Sequence, residues 1–141
     1  MTHDLQLELR TDPRLLASVR ALVGEWLAGF GLDEDVEHSV VLAIDEACSN
    51  CIRHAYGGSG DCYARLTMRA TPEHLEFEIS DEGTPCRTDK TERRPLEIPH
   101  PDEVKPGGLG IQLMHRVFDE VRFEPGDTRG NRITLKLRRQ R

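Results

Sequence analysis

The chain is 141 residues long, enough for one domain around one hydrophobic core and too short for two of ordinary size. Its balance is acidic, a formal −6, which is unlike the basic footprint of a direct nucleic-acid binder or the polybasic segment of a membrane anchor. No apolar run approaches the roughly 18 residues needed to span a bilayer. The opening Met1-Thr2-His3-Asp4 has none of the marks of a signal peptide, so the expectation is a cytoplasmic protein whose partners are proteins or small molecules.

Leu5, Leu7 and Leu9 alternate with polar residues between Asp4 and Arg10, the period of a half-buried strand. Asp12-Pro13 then supplies a helix cap followed by proline at the first helical position. Leu15, Leu16, Val19, Leu22, Val23, Trp26, Leu27 and Phe30 recur at threes and fours, and Gly29 and Gly31 mark the end of that helix. Asp33 caps a second, longer helix, with Glu34, Asp35 and Glu37 in its first turn where the helix dipole favours acids.

The second helix is expected to run to about Ala55 and to stop at Gly57-Gly58. At about 100° per residue, Glu46, Asn50 and His54 share one stripe. The stripe borders an apolar face of Val40, Val41, Ile44, Ala47, Cys48, Cys51, Ile52 and Ala55. Of the four cysteines, Cys48 and Cys51 have C-x-x-C spacing but fall inside a helix and lack a second ligand pair. Reduced thiols serving as small core side chains are the reading for them.

Tyr63–Arg69 and Leu75–Ile79 both alternate around the turn residues Thr71-Pro72-Glu73-His74, so they form a hairpin. From Thr84 to Pro106 prolines are scattered among charges with no periodicity, the mark of a long functional loop or lid. Gly107-Gly108-Leu109-Gly110 closes it and opens a third helix carrying Ile111, Leu113, Met114, Val117 and Phe118. A second hairpin, from Glu120-Val121-Arg122-Phe123 to Ile133–Leu137, ends the chain. The order β-α-α-β-β-loop-α-β-β predicts an α+β two-layer sandwich with the helices grouped on one face of the sheet.

Three segments carry candidate chemistry. A carboxylate one turn from a carboxamide, Glu46 and Asn50, sets a general base beside an oxygen ligand for a hard cation. Asp81-Glu82-Gly83 puts a carboxylate at a strand end, where it can accept from an exocyclic amine, and a glycine that lets backbone approach a flat ring. Gly107-Gly108-Leu109-Gly110 leaves bare N–H groups at a helix start, where they can cradle phosphate. Singly, each also has a plain reading as a solvated helix edge, an Asp-x-Gly turn or a loop closure.

In this order the three resemble the N, G1 and G2 boxes of the GHKL ATPase superfamily, across nearly the whole chain. Asp45–Tyr56, Gly108–Met114 and Phe118–Val121 are most similar to its small anti-sigma-factor serine/threonine kinase branch. The resemblance implies a Bergerat-type ATP-binding fold with a mixed sheet, formed by a single domain over 1–141 with an ATP lid at about 84–106. It further implies ATP and Mg2+ as cofactors, a sigma factor and a STAS-type anti-anti-sigma protein as partners, and a homodimer.

By that resemblance Glu46 is the catalytic base, Asn50 the Mg2+ ligand and Asp81 the holder of the adenine amine, with Gly83 beside the ring. Gly108, Leu109 and Gly110 meet the phosphates, Thr134 adds a hydroxyl near the adenine, and Arg53 and His54 fall on the matching helix segment. Lys105, with Lys90, Arg93 and Arg94, is a lid candidate for the γ-phosphate; the last three are read as loop-solvating charges. The family's second G1 glycine is Pro85 here, as in a variant of the anti-sigma branch. No phosphoacceptor helix pair precedes the first strand, so a complete sensor histidine kinase is not expected. His3, His38, His74, His100 and His115 are assigned no chemistry.

Overall fold

Alternation of apolar and polar side chains builds the strands, and each strand keeps its apolar set on one side. A computed structural model of the protein describes residues 4–55, 62–82, 108–126 and 130–139. Within them lie β1 (Leu5–Arg10), α1 (Leu16–Leu27), α2 (Glu34–Asn50), β2 (Tyr63–Ala70), β3 (His74–Asp81), α3 (Gly108–Val117), β4 (Glu120–Pro125) and β5 (Asn131–Arg138). Short 3-10 turns at Pro13–Leu15 and Ala28–Phe30 flank α1, and a π-helical turn, Cys51–Ala55, extends α2. The helix stop at Gly57-Gly58 and the lid at 84–106 lie outside the described residues.

Local chemistry accounts for the ends. The Asp12 carboxylate accepts from the Arg14 backbone N–H at 3.0 Å, with Pro13 in the first turn, so the cap read from sequence is made. The Arg14 guanidinium and that N–H bond hold the Asp12 carboxyl at about 2, below its ordinary value. Asp33 stands at the N-cap of α2, yet its side chain makes no capping bond. The Glu37 N–H bonds the Asp33 carbonyl instead, at 3.0 Å, leaving Glu34, Asp35 and Glu37 to answer the helix dipole. Gly31 ends the α1 region at φ 69°, a left-handed conformation suited to glycine.

The sheet runs β1-β2-β3-β5-β4 and is antiparallel at every seam, where a mixed sheet was expected. The difference follows from the second hairpin, which inserts β5 beside β3 so that each strand reverses its neighbour. Ala64, Leu66, Met68, Leu75, Phe77, Ile79, Ile133, Leu135 and Leu137 are buried on one face. They share a core with Val19, Val23 and Leu27 of α1, Val40, Ala43, Ile44, Ala47 and Cys48 of α2, and Ile111 and Met114 of α3. The other face is polar, with Arg69 paired to Glu76 and Arg132 near Glu78. The α+β two-layer arrangement with helices on one face is therefore the fold.

Trp26 belongs to the core series as expected, meeting Phe30 at 4.8 Å and Phe77 at 5.5 Å between ring centroids, while Phe77 also meets Phe118 at 5.8 Å. All three contacts are edge-on, the orientation that aromatic quadrupoles favour. Phe77→Ala removes the ring common to two of these contacts. It should lower the unfolding free energy by about 3–5 kcal/mol in urea denaturation, whereas exposed Leu42→Ala should change it by no more than about 0.5 kcal/mol.

Candidate functional site

Burial of one face of α2 fixes the orientation of its polar edge. Glu46 is half-buried, and Asn50, one turn on, is only 7% exposed. The α-helix ends at Asn50, and the next turn is π-helical, whereas the sequence suggested an α-helix continuing to Ala55. A π turn bonds i to i+5, so the α-helical phase relating Glu46 to Asn50 does not carry through to His54, which lies in the wider turn.

Arg53, also in the π turn, reaches back along the helix. Its Nη1 donates to Ser49 Oγ at 2.6 Å and its Nη2 to Asn50 Oδ1 at 2.5 Å. Two donors, Asn50 Nδ2 and Arg53 Nε, are buried without a hydrogen-bond partner. Buried polar groups are nearly always paired. Two such donors three residues apart are therefore groups that acceptor oxygens would satisfy.

Asp81 ends β3 with its side chain on the helix side of the sheet. Cys51 Sγ donates to Oδ2 at 3.2 Å and Asn131 Nδ2 to Oδ1 at 3.1 Å, so both carboxylate oxygens are held. Burial first, and the Asp81 charge second, push the Cys51 thiol far up, which keeps it a protonated donor. Burial and then the Asp45 charge push Cys48 up to about 12. Both are free and buried, in keeping with their reading as core side chains. Gly130, at φ 89°, leaves room that a Cβ would take up 3.0 Å from the Asp81 carbonyl oxygen.

No sequence motif marks Asn131, but strand parity does: it shares a face with Ile133 and Leu135. Thr134, expected to add a hydroxyl near the adenine, has the opposite parity. It pairs with Glu78 and Arg122 on the polar face of the sheet, away from α2. The polar partner that β5 supplies to Asp81 is Asn131, because strand alternation excludes Thr134 from that side.

The first turn of α3 closes the arrangement. A Cβ added at Gly110 would collide with the Glu46 carboxylate and stand 3.0 Å from Glu46 Cβ and Cδ. Gly110 therefore admits the Glu46 side chain against the positive end of α3, the helix that begins at Gly108 and Leu109. Gly83 and Lys105 lie outside the described residues. The residues present fit a Mg2+-bound polyphosphate: Asn50 Oδ1 is a hard oxygen already paired with one cation, and the orphan donors call for acceptors.

Residues 9–137 match the family described as histidine kinase-like ATPase domain. The chain belongs to that family. This ATPase domain is 25% identical over 123 residues to the serine-protein kinase RsbW of Bacillus subtilis, covering 85% of the chain and 77% of that relative. It is 29% identical over 107 residues to the anti-sigma F factor of Clostridium novyi, covering 74% of each. A structure of RsbU and RsbW domains from Mycobacterium tuberculosis superposes with a TM-score of 0.62 at 20% identity, over 95% of this chain and 31% of that one. The histidine kinase domain of a blue-light activated kinase from Erythrobacter litoralis does so at 0.52 and 16%, over 91% and 60% respectively. These two likenesses support the fold.

Two outcomes follow. Gly110→Ala should destabilise the domain by about 1–3 kcal/mol through overpacking against Glu46. Combining it with Glu46→Ala should recover most of that loss in a double-mutant cycle read by chemical denaturation. Cys48, raised from 9.0 to about 12, favours the folded state fully below pH 9, and that contribution is lost as pH rises toward 12. Parent and Cys48→Ala unfolding free energies should therefore converge or cross above pH 9, with a difference in slope of about 1.4 kcal/mol per pH unit.

Proposed function

We propose that this ATPase domain is an ATP- and Mg2+-dependent serine/threonine kinase of the anti-sigma type. It would act in the cytoplasm as a homodimer, binding a sigma factor and phosphorylating a STAS-type anti-anti-sigma protein. The names of the relatives, serine-protein kinase and anti-sigma F factor, support that class. The observation that carries it is the Glu46 carboxylate lying one turn from Asn50 and against the first turn of α3. In this reading Glu46 is the base and the first turn of α3 the phosphate-binding helix end.

In this reading Asp81 accepts from the adenine amine. A carboxylate has about four acceptor sites, and the Cys51 thiol and the Asn131 amide each occupy one of them. Gly83 lies beside the ring, the N–H groups of Gly108, Leu109 and Gly110 face the phosphates, and Arg53, His54 and Lys105 add charge to them. Asn50 Oδ1 would hold Mg2+, which when bound neutralises phosphate charge. Glu46 takes the proton from the substrate hydroxyl as its oxygen bonds to the γ-phosphorus and the bond to the bridging oxygen breaks, releasing ADP.

Glu46→Gln should retain ATP affinity within about twofold and lose transfer to the partner by about 10²–10⁴-fold, followed with γ-labelled ATP. Undiminished transfer would overturn the role of Glu46. Tight binding without transfer by the parent protein would point to a nucleotide-dependent interaction module. Mg-ATP at a hundredfold excess over Kd should stabilise the parent by about 2.7 kcal/mol, read as a raised Tm, and Asp81→Asn should abolish the rise.

A further inference from the structure

Cys48 and Cys51 both belong to the hydrophobic core, but Cys51 has a second attachment. While 5% exposed, it donates from Sγ to Asp81 Oδ2 at 3.2 Å, across 30 residues of sequence. An ionised carboxylate only accepts, so the proton in this contact is the thiol's. Burial, and then the Asp81 charge, keep it there by pushing the thiol up. Asn131 Nδ2 meets the other oxygen, Oδ1, at 3.1 Å. The two donors come from separate elements, the π turn after α2 and strand β5. An Asp carboxylate by itself is loosely set, because its terminal torsion is broad and roughly two-fold. Donors on opposite oxygens remove that freedom.

We infer that Cys51 is a positioning residue for base recognition: its thiol sets the plane of the Asp81 carboxylate, and with it the direction in which an exocyclic amine is accepted. This role rests on the reading of Asp81 as the acceptor of the adenine amine, and it adds what aims that acceptor. Hydrogen bonds weaken steeply as their angle closes, so a carboxylate whose plane wanders is on average a poorer partner for the amine. A thiol suits the task. It is a weak donor, so it orients Oδ2 while drawing off little of the charge that the amine would use. Its sulfur also packs as a small apolar group, which lets the contact be made from inside the core.

A side chain that merely fills the core affects every nucleotide alike. One that aims Asp81 affects only ligands with an amine for Asp81 to accept. Purine riboside triphosphate is ATP without its exocyclic amine. The measurement is therefore the Kd of purine riboside triphosphate divided by that of ATP, both by calorimetry in excess Mg2+. In the parent this ratio should be about tenfold, the size of one hydrogen bond to a charged group.

Cys51→Ala removes the donor and should lower the ratio about fivefold, mainly by weakening ATP. Cys51→Val removes the donor while filling the space, and it carries the comparison if the alanine variant does not fold. Cys51→Ser restores a donor and should hold the ratio within about twofold of the parent. A packing role would weaken both nucleotides together, so a ratio within twofold of the parent in the folded Ala or Val variant overturns the proposal. A Ser ratio as low as the Ala ratio also overturns it, because the donor would then not be the cause. A parent ratio near one, or no binding of ATP by the parent, overturns the reading of Asp81 itself, a result distinct from unchanged ratios in the variants.

Discussion

Helix α2 buries Val40, Ala43, Ile44, Ala47 and Cys48 against the sheet, and that burial prevents rotation about its own axis. Burying a face of this size contributes several kcal/mol, because each large apolar side chain removed from water is worth about 1.5–3 kcal/mol. The position of the polar edge is therefore set by packing and not by the polar groups themselves. Glu46 meets α3 and Cys51 meets β3 because those are the elements flanking the packed face. Three segments distant in sequence converge on one helix whose orientation is already decided.

The change from α to π winding at Cys51 has consequences on two sides. Cys51 remains in the core, 5% exposed, yet its sulfur reaches the Asp81 carboxylate. Two residues later Arg53 turns back to Ser49 and Asn50. A thiol suits the first task because it is small enough to pack among apolar neighbours and still has a proton to donate. With Asn131 on the other oxygen, the Asp81 carboxylate is held from the helix side and from β5 at once.

Periodicity made the fold legible. The spacing of Val19, Val23, Val40, Ile44 and Met114, and the alternation of Leu75, Phe77 and Ile79, assigned helices and strands to the correct places. Strand direction was less accessible, because whether β5 enters the sheet parallel or antiparallel depends on its partner and not on its own pattern. The row of Glu46 and Asn50 was visible because it obeys α-helical spacing, and the π turn was not, since no residue type announces it. The hydroxyl of Thr134 suits an adenine contact, but parity puts it with Lys136 and Arg132 on the polar face, and it is Asn131 that parity puts with Ile133. The close approach of Gly110 to Glu46 joins residues 64 positions apart, which no local pattern encodes.

The acidic composition and an anion-binding site are compatible because their fields act over different distances. The formal charge of −6 is spread over the whole chain, and at physiological ionic strength charges more than about 8 Å apart are largely screened. Near Asn50 positive groups are also present: the first turn of α3 presents its positive end, and the Arg53 guanidinium lies on Asn50 Oδ1. Glu46 is brought against that helix end, where a Cβ at Gly110 would collide with its carboxylate. The same overall charge that is unfavourable for a long polyanion, with phosphates extending beyond the local field, leaves a single polyphosphate free to bind within it.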